Sequence, residues 1–145
     1  MLINKNLIAL NLDSRTKEET IRKMAQMAAD EGKVENIEEY VKTVLRREEE
    51  FSTAVGFGVA IPHGKTDAVK EPLLAFAKVN NIEWDAPDGK PVSMVFLIGV
   101  PESQAGTEHL KILANISRRL MKQEFRDSIS NAKTEEDILK VLDEI

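Results

Sequence analysis

The segment STAVGFGVAIPHG, residues 52–64, holds the side chain with the most distinctive chemistry in this sequence. His63 is one of only two histidines and stands directly between Pro62 and Gly64. Proline biases the residue before it towards extended geometry, so we expect a strand to end at Pro62. Gly64 has no side chain and would let another molecule approach the imidazole. A neutral imidazole can act as a nucleophile, a base or a metal ligand.

The second histidine, His109, follows Thr107 in the first turn of a predicted helix. Unpaired backbone N–H groups and the helix dipole at that end favour an anion and disfavour a protonated imidazole. One interpretation of His109 is therefore a neutral histidine beside a bound phosphate, and the alternative is an ordinary surface histidine. The corresponding alternative for His63 is a turn residue without chemistry.

Two arginines, Arg46 and Arg47, lie at the end of a predicted helix, shortly before the segment that contains His63. A guanidinium can bind two phosphate oxygens at once, which an ammonium does less well. From the residues alone, either arginine could take this role. A nucleophilic imidazole, a second neutral histidine and an arginine together indicate transfer of a phosphoryl group through a phosphohistidine.

The composition limits the partners and the chemistry. The chain has 145 residues, is 42% hydrophobic and 31% charged, and carries a formal net charge of −5. These values are typical of one globular domain, which we place at residues 1–145. Because acidic and basic residues are interspersed, nucleic acid is not expected as a partner. No cysteine is present, which excludes disulfides and thiolate nucleophiles.

A zinc hydrolase is a further hypothesis for the two histidines. Its metal would be held by His63, His109 and a carboxylate, either Glu108 or Asp67. The short HExxH spacing typical of such enzymes is missing from the sequence. We therefore predict neither a metal nor another cofactor.

The elements that must position these residues follow from periodicity and capping signals. Strands are predicted over residues 7–10, 53–61, 73–79 and 92–100. The last is a nearly unbroken apolar run, which predicts a central strand covered on both faces. Gly56 and Gly58, within the second strand, are expected to mark a bulge or a close backbone approach. One helix begins at a capping box of Thr16 and Glu19, and the next begins after Asn36. Three more helices follow residue 107, which gives the order strand, two helices, three strands, three helices. The economical packing is a three-layer α/β/α fold, in which helices flank a mixed β-sheet.

The location of the chain is predicted from its apolar segments. The N-terminus lacks the basic start and the long apolar run of a signal peptide. The longest apolar run, residues 94–100, is too short to span a bilayer. These observations predict a cytoplasmic protein without direct membrane insertion.

Two blocks of the sequence resemble a known family. RREEEFSTAVGFGVAIPHG and IEWDAPDGKPVSMVFLIGVPESQAGTEHLKILANISRRL are similar to the enzyme IIA component of the bacterial phosphotransferase system. The resemblance covers the whole chain and is strongest to the fructose-type branch, which also contains mannitol and nitrogen-regulatory relatives. One departure is Thr53-Ala54-Val55-Gly56, where relatives usually have Thr-Gly-Ile-Gly.

The resemblance implies a function and roles for three residues. His63 would accept a phosphoryl group from the phosphocarrier HPr and pass it to a cysteine of enzyme IIB, which phosphorylates sugar as the membrane component IIC admits it. His109 corresponds to the second active-site histidine, and Arg47, rather than Arg46, to the active-site arginine. Docking of HPr would require apolar surface around His63, to which Phe57 is expected to contribute; the alternative for Phe57 is an inward-facing core residue. The alternative implied by the nitrogen-regulatory relatives is a binding protein whose phosphorylation state controls its partners.

Overall fold

A computed structural model of the protein describes residues 2–104 and 110–142. In chain order its elements are β1 (Ile8–Ala9), α1 (Lys17–Asp30), α2 (Ile37–Glu50), β2 (Ala54–Gly56), β3 (Val59–Ala60), β4 (His63–Lys65), β5 (Leu73–Ile82), β6 (Val92–Val100), α3 (Leu110–Leu120), α4 (Gln123–Asn131) and α5 (Glu135–Leu142). Short 3-10 helices, Lys5–Leu7 and Glu102–Gln104, precede β1 and follow β6. None of the helices in this described part of the chain is long and apolar enough to cross a membrane.

The strands of the described residues form one mixed sheet, as predicted. Its order is β1-β5-β6-β3-β2, and β4 also lies next to β6. β5 and β6 are antiparallel, whereas β1 runs parallel to β5, and both β3 and β4 run parallel to β6. All residues of β6 from Met94 to Val100 are buried, which matches the prediction of a central strand covered on both faces.

Helices cover both faces of the sheet. Gly99 of β6 faces α2, because a Cβ at that position would lie 2.9 Å from the Tyr40 hydroxyl oxygen. Lys78 pairs with Met94 and donates a 2.7 Å hydrogen bond to the carbonyl of Ala132, directly after α4. Side chains alternate along a strand, so Met94 and Gly99 point to opposite faces. The three-layer α/β/α prediction is therefore confirmed.

The two N-terminal helices begin where their capping residues predict. The Thr16 side chain accepts a 3.0 Å hydrogen bond from the backbone N–H of Glu19, and Asn36 accepts one of 3.1 Å from Glu39. These bonds satisfy N–H groups that have no partner within the helix. The cap at Asn36 fixes the start of α2, the helix whose far end carries Arg47.

The prediction of one continuous strand over residues 53–61 is wrong. The segment folds into a hairpin in which β2 pairs antiparallel with β3, and Gly56 lies opposite Val59. The two loop residues, Phe57 and Gly58, have φ values of 61° and 75°. Positive φ at both positions is what a two-residue turn of type I′ requires. The pairing of β2 with β3 also shifts register between Ala54 and Gly56, so the segment contains the irregularity expected of its glycines as well as a chain reversal that was not predicted.

A strand ends before Pro62, as expected, but a new strand begins directly after the proline. Pairing with β6 stops at Pro62, which has no N–H to donate, but it resumes at His63 in β4. The Pro62 carbonyl accepts a 3.0 Å hydrogen bond from the backbone N–H of Ile98. The extended chain thus follows β6 on both sides of the proline, and three short strands replace the single one predicted before β5.

Candidate functional site

His63 is the first residue of β4, and neighbouring backbone fixes its position. His63 pairs with Ile98 of β6, and the N–H of Ile98 donates a hydrogen bond to the carbonyl of Pro62. Only 9% of His63 is exposed. The expectation of an uncovered turn residue is therefore wrong, because the sheet continues through this position.

The orientation of the His63 ring distinguishes its two nitrogens. Nδ1 lies 2.9 Å from the carbonyl oxygen of Ile61. A carbonyl oxygen can only accept, so Nδ1 carries the proton in this bond and the lone pair of the neutral ring lies on Nε2. Burial lowers the pKa of His63 below its ordinary value, and the positive charge of Arg47 lowers that pKa further. The ring is therefore neutral and nucleophilic at Nε2 near pH 7.

Gly64 has a different role from the one expected. A Cβ at this position would lie 3.0 Å from Val44 Cγ2 and 3.3 Å from Thr43 Cγ2, both in α2. The missing side chain therefore allows α2 to pack against β4, rather than leaving space for another molecule. This close contact brings the end of α2 next to His63.

Arg47 lies in the last turn of α2, and its side chain reaches the residue that follows the end of that helix. Its Nη1 atom donates a 2.9 Å hydrogen bond to the carbonyl of Phe51. Such a bond satisfies a carbonyl near the helix C-terminus and restricts the guanidinium. The structure thus brings Arg47 close enough to His63 for its charge to act on the ring.

A surface cavity of about 390 Å³ joins these residues. It is lined by Thr43, Arg46, Arg47, Glu50, His63, Gly64 and Lys65. Three of these side chains are cationic and one is anionic, so the cavity has an excess of positive charge. A doubly charged phosphoryl group is the kind of ligand that such a cavity attracts.

Three lining residues of the cavity, Thr43, Glu50 and Lys65, were not predicted, although the sequence contains a signal for them. Thr43 and Glu50 lie four residues before and three residues after Arg47, which places all three on one side of a helix. Gly64 was predicted for a different reason, and Lys65 follows His63 by two residues, on the same side of β4. Helical and strand periodicity would therefore have grouped these residues around His63.

Thr107, Glu108 and His109 lie outside the described residues. Asp67, the other carboxylate of the zinc hypothesis, accepts a 3.1 Å hydrogen bond from the backbone N–H of Glu102.

Phe57, expected as apolar surface beside the site, lies at the hairpin turn. It is 52% exposed, so the alternative of an inward-facing core residue is wrong. Val59, two residues after Phe57, pairs with Met94 of β6, whereas His63 pairs with Ile98. Four residues of extended chain span about 13 Å, so Phe57 lies away from the cavity. It stacks on Arg126, whose guanidinium carbon is 3.8 Å from the ring centroid.

Phe51, rather than Phe57, is the exposed aromatic residue beside Arg47. Its side chain is 77% exposed, and its carbonyl accepts the hydrogen bond from Arg47. An aromatic ring that leaves most of its area in water is a feature of docking surfaces. The exposed ring follows the end of α2, next to the cationic cavity.

Glu48 is a buried charged residue that sequence reasoning missed. Its carboxylate accepts hydrogen bonds from the hydroxyl and the backbone N–H of Thr53, the latter at 3.1 Å, and from the Trp84 indole at 3.1 Å. Lys17 adds an ion pair at 3.4 Å. Trp84 and Lys17 lie far from Glu48 in sequence, and no periodic pattern predicts such a cluster.

Comparison with solved structures defines the class of protein. Nitrogen regulatory protein IIA-Ntr from Neisseria meningitidis superimposes with a TM-score of 0.82 at 29% identity, covering 96% of this chain and 94% of that one. Enzyme IIA-mannitol from Escherichia coli, solved in complex with phosphorylated enzyme IIB-mannitol, gives a TM-score of 0.82 at 22% identity, covering 99% and 98%. The protein has the α/β fold of the enzyme IIA proteins.

The family follows from the sequence match. Residues 1–145 match the family model described as phosphoenolpyruvate-dependent sugar phosphotransferase system, EIIA 2, and the chain belongs to this family. The fructose-specific EIIA component of Haloferax volcanii is 40% identical over 96% of this chain and 90% of its own length. A nitrogen regulatory protein of Bradyrhizobium diazoefficiens is 35% identical over 97% and 92%.

Some relatives are much longer than this chain. The 2-O-alpha-mannosyl-D-glycerate-specific EIIABC component of Escherichia coli is 37% identical, but the chain spans only 22% of its length. The same fold thus occurs both in short proteins and as part of longer polypeptides.

Proposed function

We propose that the protein is a phosphoryl carrier of sugar uptake, with His63 as the residue that is phosphorylated. The observation that carries this proposal is the hydrogen bond from Nδ1 to the Ile61 carbonyl, which leaves the lone pair of the neutral ring on Nε2. His63 and Arg47 line the same cavity. A neutral, oriented imidazole is the nucleophile that phosphoryl acceptance requires. Family membership supports the same activity.

The first transfer step exchanges one N–P bond for another. Nε2 of His63 attacks the phosphorus of phosphohistidine on HPr, the donor's N–P bond breaks, and its electron pair remains on the donor imidazole. Positive charge develops on the His63 ring, and the Ile61 carbonyl stabilises it through the Nδ1 proton. Arg47 neutralises charge on the phosphoryl oxygens, and His109 serves as a helper that orients His63 or the phosphate.

The second step passes the group to a cysteine of enzyme IIB, which supplies it to the sugar that membrane component IIC admits. The chain contains no cysteine, so this acceptor must come from outside these 145 residues. The similarity to a fructose-specific component supports a fructose-type sugar. Enzyme IIB as the acceptor is supported by the fold shared with an enzyme IIA solved in complex with phosphorylated enzyme IIB.

A regulatory role is the second candidate. It is favoured by the 35% identity to a nitrogen regulatory protein and by the fold shared with IIA-Ntr. In that role the phosphate on His63 would alter binding to a regulated partner, rather than move on to sugar. The chemistry at His63 is the same in both cases, and only the fate of the phosphate differs.

Reconstitution with phosphoenolpyruvate, enzyme I, HPr and a fructose-type enzyme IIB tests the proposal. We expect radioactive phosphate to appear first on this chain and then on the enzyme IIB cysteine. His63→Gln should abolish both signals, whereas His109→Ala should accept phosphate and slow onward transfer by roughly 10²–10³-fold. Labelling without transfer to enzyme IIB would favour the regulatory role. Undiminished labelling of the His63→Gln variant would overturn the mechanism.

A further inference from the structure

Glu48 is a buried carboxylate directly beside a cationic site. Glu48 directly follows Arg47 in α2, and only 7% of it is exposed. Removing a carboxylate from water is costly unless donors and cations compensate for the lost hydration. Here the compensation comes from Thr53 directly before β2, from Trp84 between β5 and β6, and from Lys17 at the start of α1. Four parts of the chain thus meet at this one side chain.

A continuous series of hydrogen bonds leads from Glu48 to His63. Glu48 accepts from the backbone N–H and the hydroxyl of Thr53. The carbonyl of Thr53 accepts a 3.1 Å hydrogen bond from the N–H of Ile61. The carbonyl of Ile61, in turn, accepts from Nδ1 of His63 at 2.9 Å. Each bond fixes the residue that makes the next one.

We infer that Glu48 is a positioning residue for His63 and acts through Thr53 and Ile61. The inference rests on the proposed role of His63 as the phosphoryl acceptor. Glu48 holds the residue before β2, that residue holds the Ile61 backbone, and the Ile61 carbonyl selects the Nδ1–H form of the ring. Only this form has its lone pair on Nε2, and the other form would present a protonated nitrogen to the phosphorus.

A purely structural role for Glu48 predicts different behaviour. If the carboxylate only tied α2 to its surroundings, its removal would lower stability and leave the proton of a correctly folded His63 on Nδ1. If it positions His63, the same change moves the proton towards Nε2 in protein that is still folded. The position of the ring proton therefore separates the two roles.

The experiment measures the ¹⁵N chemical shifts of the His63 ring at neutral pH, together with phosphoryl acceptance from phospho-HPr. The variants are Glu48→Ala, Glu48→Gln and the control Glu49→Ala, which removes an exposed carboxylate from the next position of α2. The Gln oxygen can still accept from the Thr53 N–H and from the indole, so this variant should restore most of the arrangement.

We expect Glu48→Ala to lower the Nδ1–H population and to lower kcat for acceptance on the order of 10²-fold, the loss typical of a misplaced reacting group. The KM for HPr should change little, because the docking surface is untouched. The ring-proton position and the acceptance rate of Glu48→Gln should be close to those of the wild type. Both quantities should be unchanged in Glu49→Ala. A folded Glu48→Ala protein with the wild-type ring proton and rate would overturn the inference.

A second pair of variants applies if Glu48→Ala does not fold. Thr53→Val removes only the hydroxyl donor and should shift the ring proton in the same direction by a smaller amount, while Thr53→Ser should restore it. Wild-type ring shifts in folded Thr53→Val would overturn the inference. The NMR measurement needs no phosphate. If the wild type did not accept phosphate but the variants still shifted the His63 ring proton, the result would count against the proposed function and not against the positioning role of Glu48.

Discussion

Arg47 and Arg46 are sequence neighbours with different surroundings. Arg47 is half-buried, bonded to the Phe51 carbonyl, and acts electrostatically on His63, whereas Arg46 is exposed. We therefore expect Arg47→Ala to reduce phosphoryl acceptance by roughly 10²–10³-fold, the cost of losing one donor at a charged transition state. Rapid-quench measurement of acceptance from phospho-HPr provides the rate.

Arg46→Ala is the matched control for that prediction. Both changes remove one guanidinium from the same cavity, but an exposed charge contributes no more than about 1 kcal/mol, or about fivefold in rate. Equal losses in the two variants would mean that the cavity acts only through its total charge. A larger loss in Arg46→Ala would show that Arg46, and not Arg47, makes the phosphate contact.

The lowered pKa of His63 predicts a pH dependence of stability. The buried ring binds a proton less readily than it does in the unfolded chain, where its pKa is near 6.5. The contribution of the neutral, buried His63 ring to the free energy of unfolding is therefore fully present above pH 6.5. This contribution is lost as the pH falls towards the lowered pKa of the folded protein. We expect urea unfolding to show a loss of stability in this window that is smaller in His63→Gln. An equal loss in both proteins would contradict the lowered pKa.

At the scale of elements, the contact between α2 and β4 determines where Arg47 lies. Gly64→Ala would place a Cβ 3.0 Å from Val44 Cγ2, and overpacking of this kind costs about 1–3 kcal/mol. Because α2 must move away from β4, we expect phosphoryl acceptance to fall as well as stability. The measurements are urea unfolding and the acceptance rate under conditions where the variant is folded.

Gly89→Ala is a control of similar stability cost away from the site. Gly89 has a φ of 71° and open space around its Cα, so alanine is strained by roughly 1–2 kcal/mol without touching α2. Its acceptance rate should equal that of the wild type. If the Gly64→Ala rate is also unchanged despite lower stability, the α2–β4 contact does not position Arg47.

The elements differ in how far the sequence could predict them. The starts of α1 and α2 depend on Thr16 and Asn36, whose side chains bond to N–H groups three residues away, so a local pattern is sufficient. The hairpin at Phe57 and Gly58 depends on positive φ at two adjacent residues, and a phenylalanine gives no signal for that. The glycines indicated an irregular backbone, which the register shift after Ala54 confirms, but they gave no signal that the chain reverses.

The site shows the same division between local and distant information. His63 was identified from Pro62 and Gly64, but its burial depends on pairing with Ile98, which the sequence does not specify. The bonds between Glu48 and Trp84 join residues 36 positions apart, and nothing near either residue predicts them. Local chemistry therefore pointed to the proposed nucleophile, whereas the groups that orient it became visible only in the fold.

For the whole molecule, we predict that residues 1–145 form one cooperative unit. The α2, β2 and β5–β6 segments meet at Glu48, and the single tryptophan, Trp84, is buried there. Trp84 fluorescence and far-ultraviolet circular dichroism should therefore give coincident urea unfolding curves. Two separated transitions would contradict the single-domain prediction.

The most direct test of the central claim is to locate the phosphate on the chain. The protein is phosphorylated through enzyme I and HPr, and one-bond ¹⁵N–³¹P coupling then identifies the nitrogen that carries phosphorus. We expect coupling to Nε2 of His63, with the proton retained on Nδ1 and the phosphate lost in acid but stable in base. Phosphate on His109, on Nδ1 of His63 or on a hydroxyl side chain would contradict it.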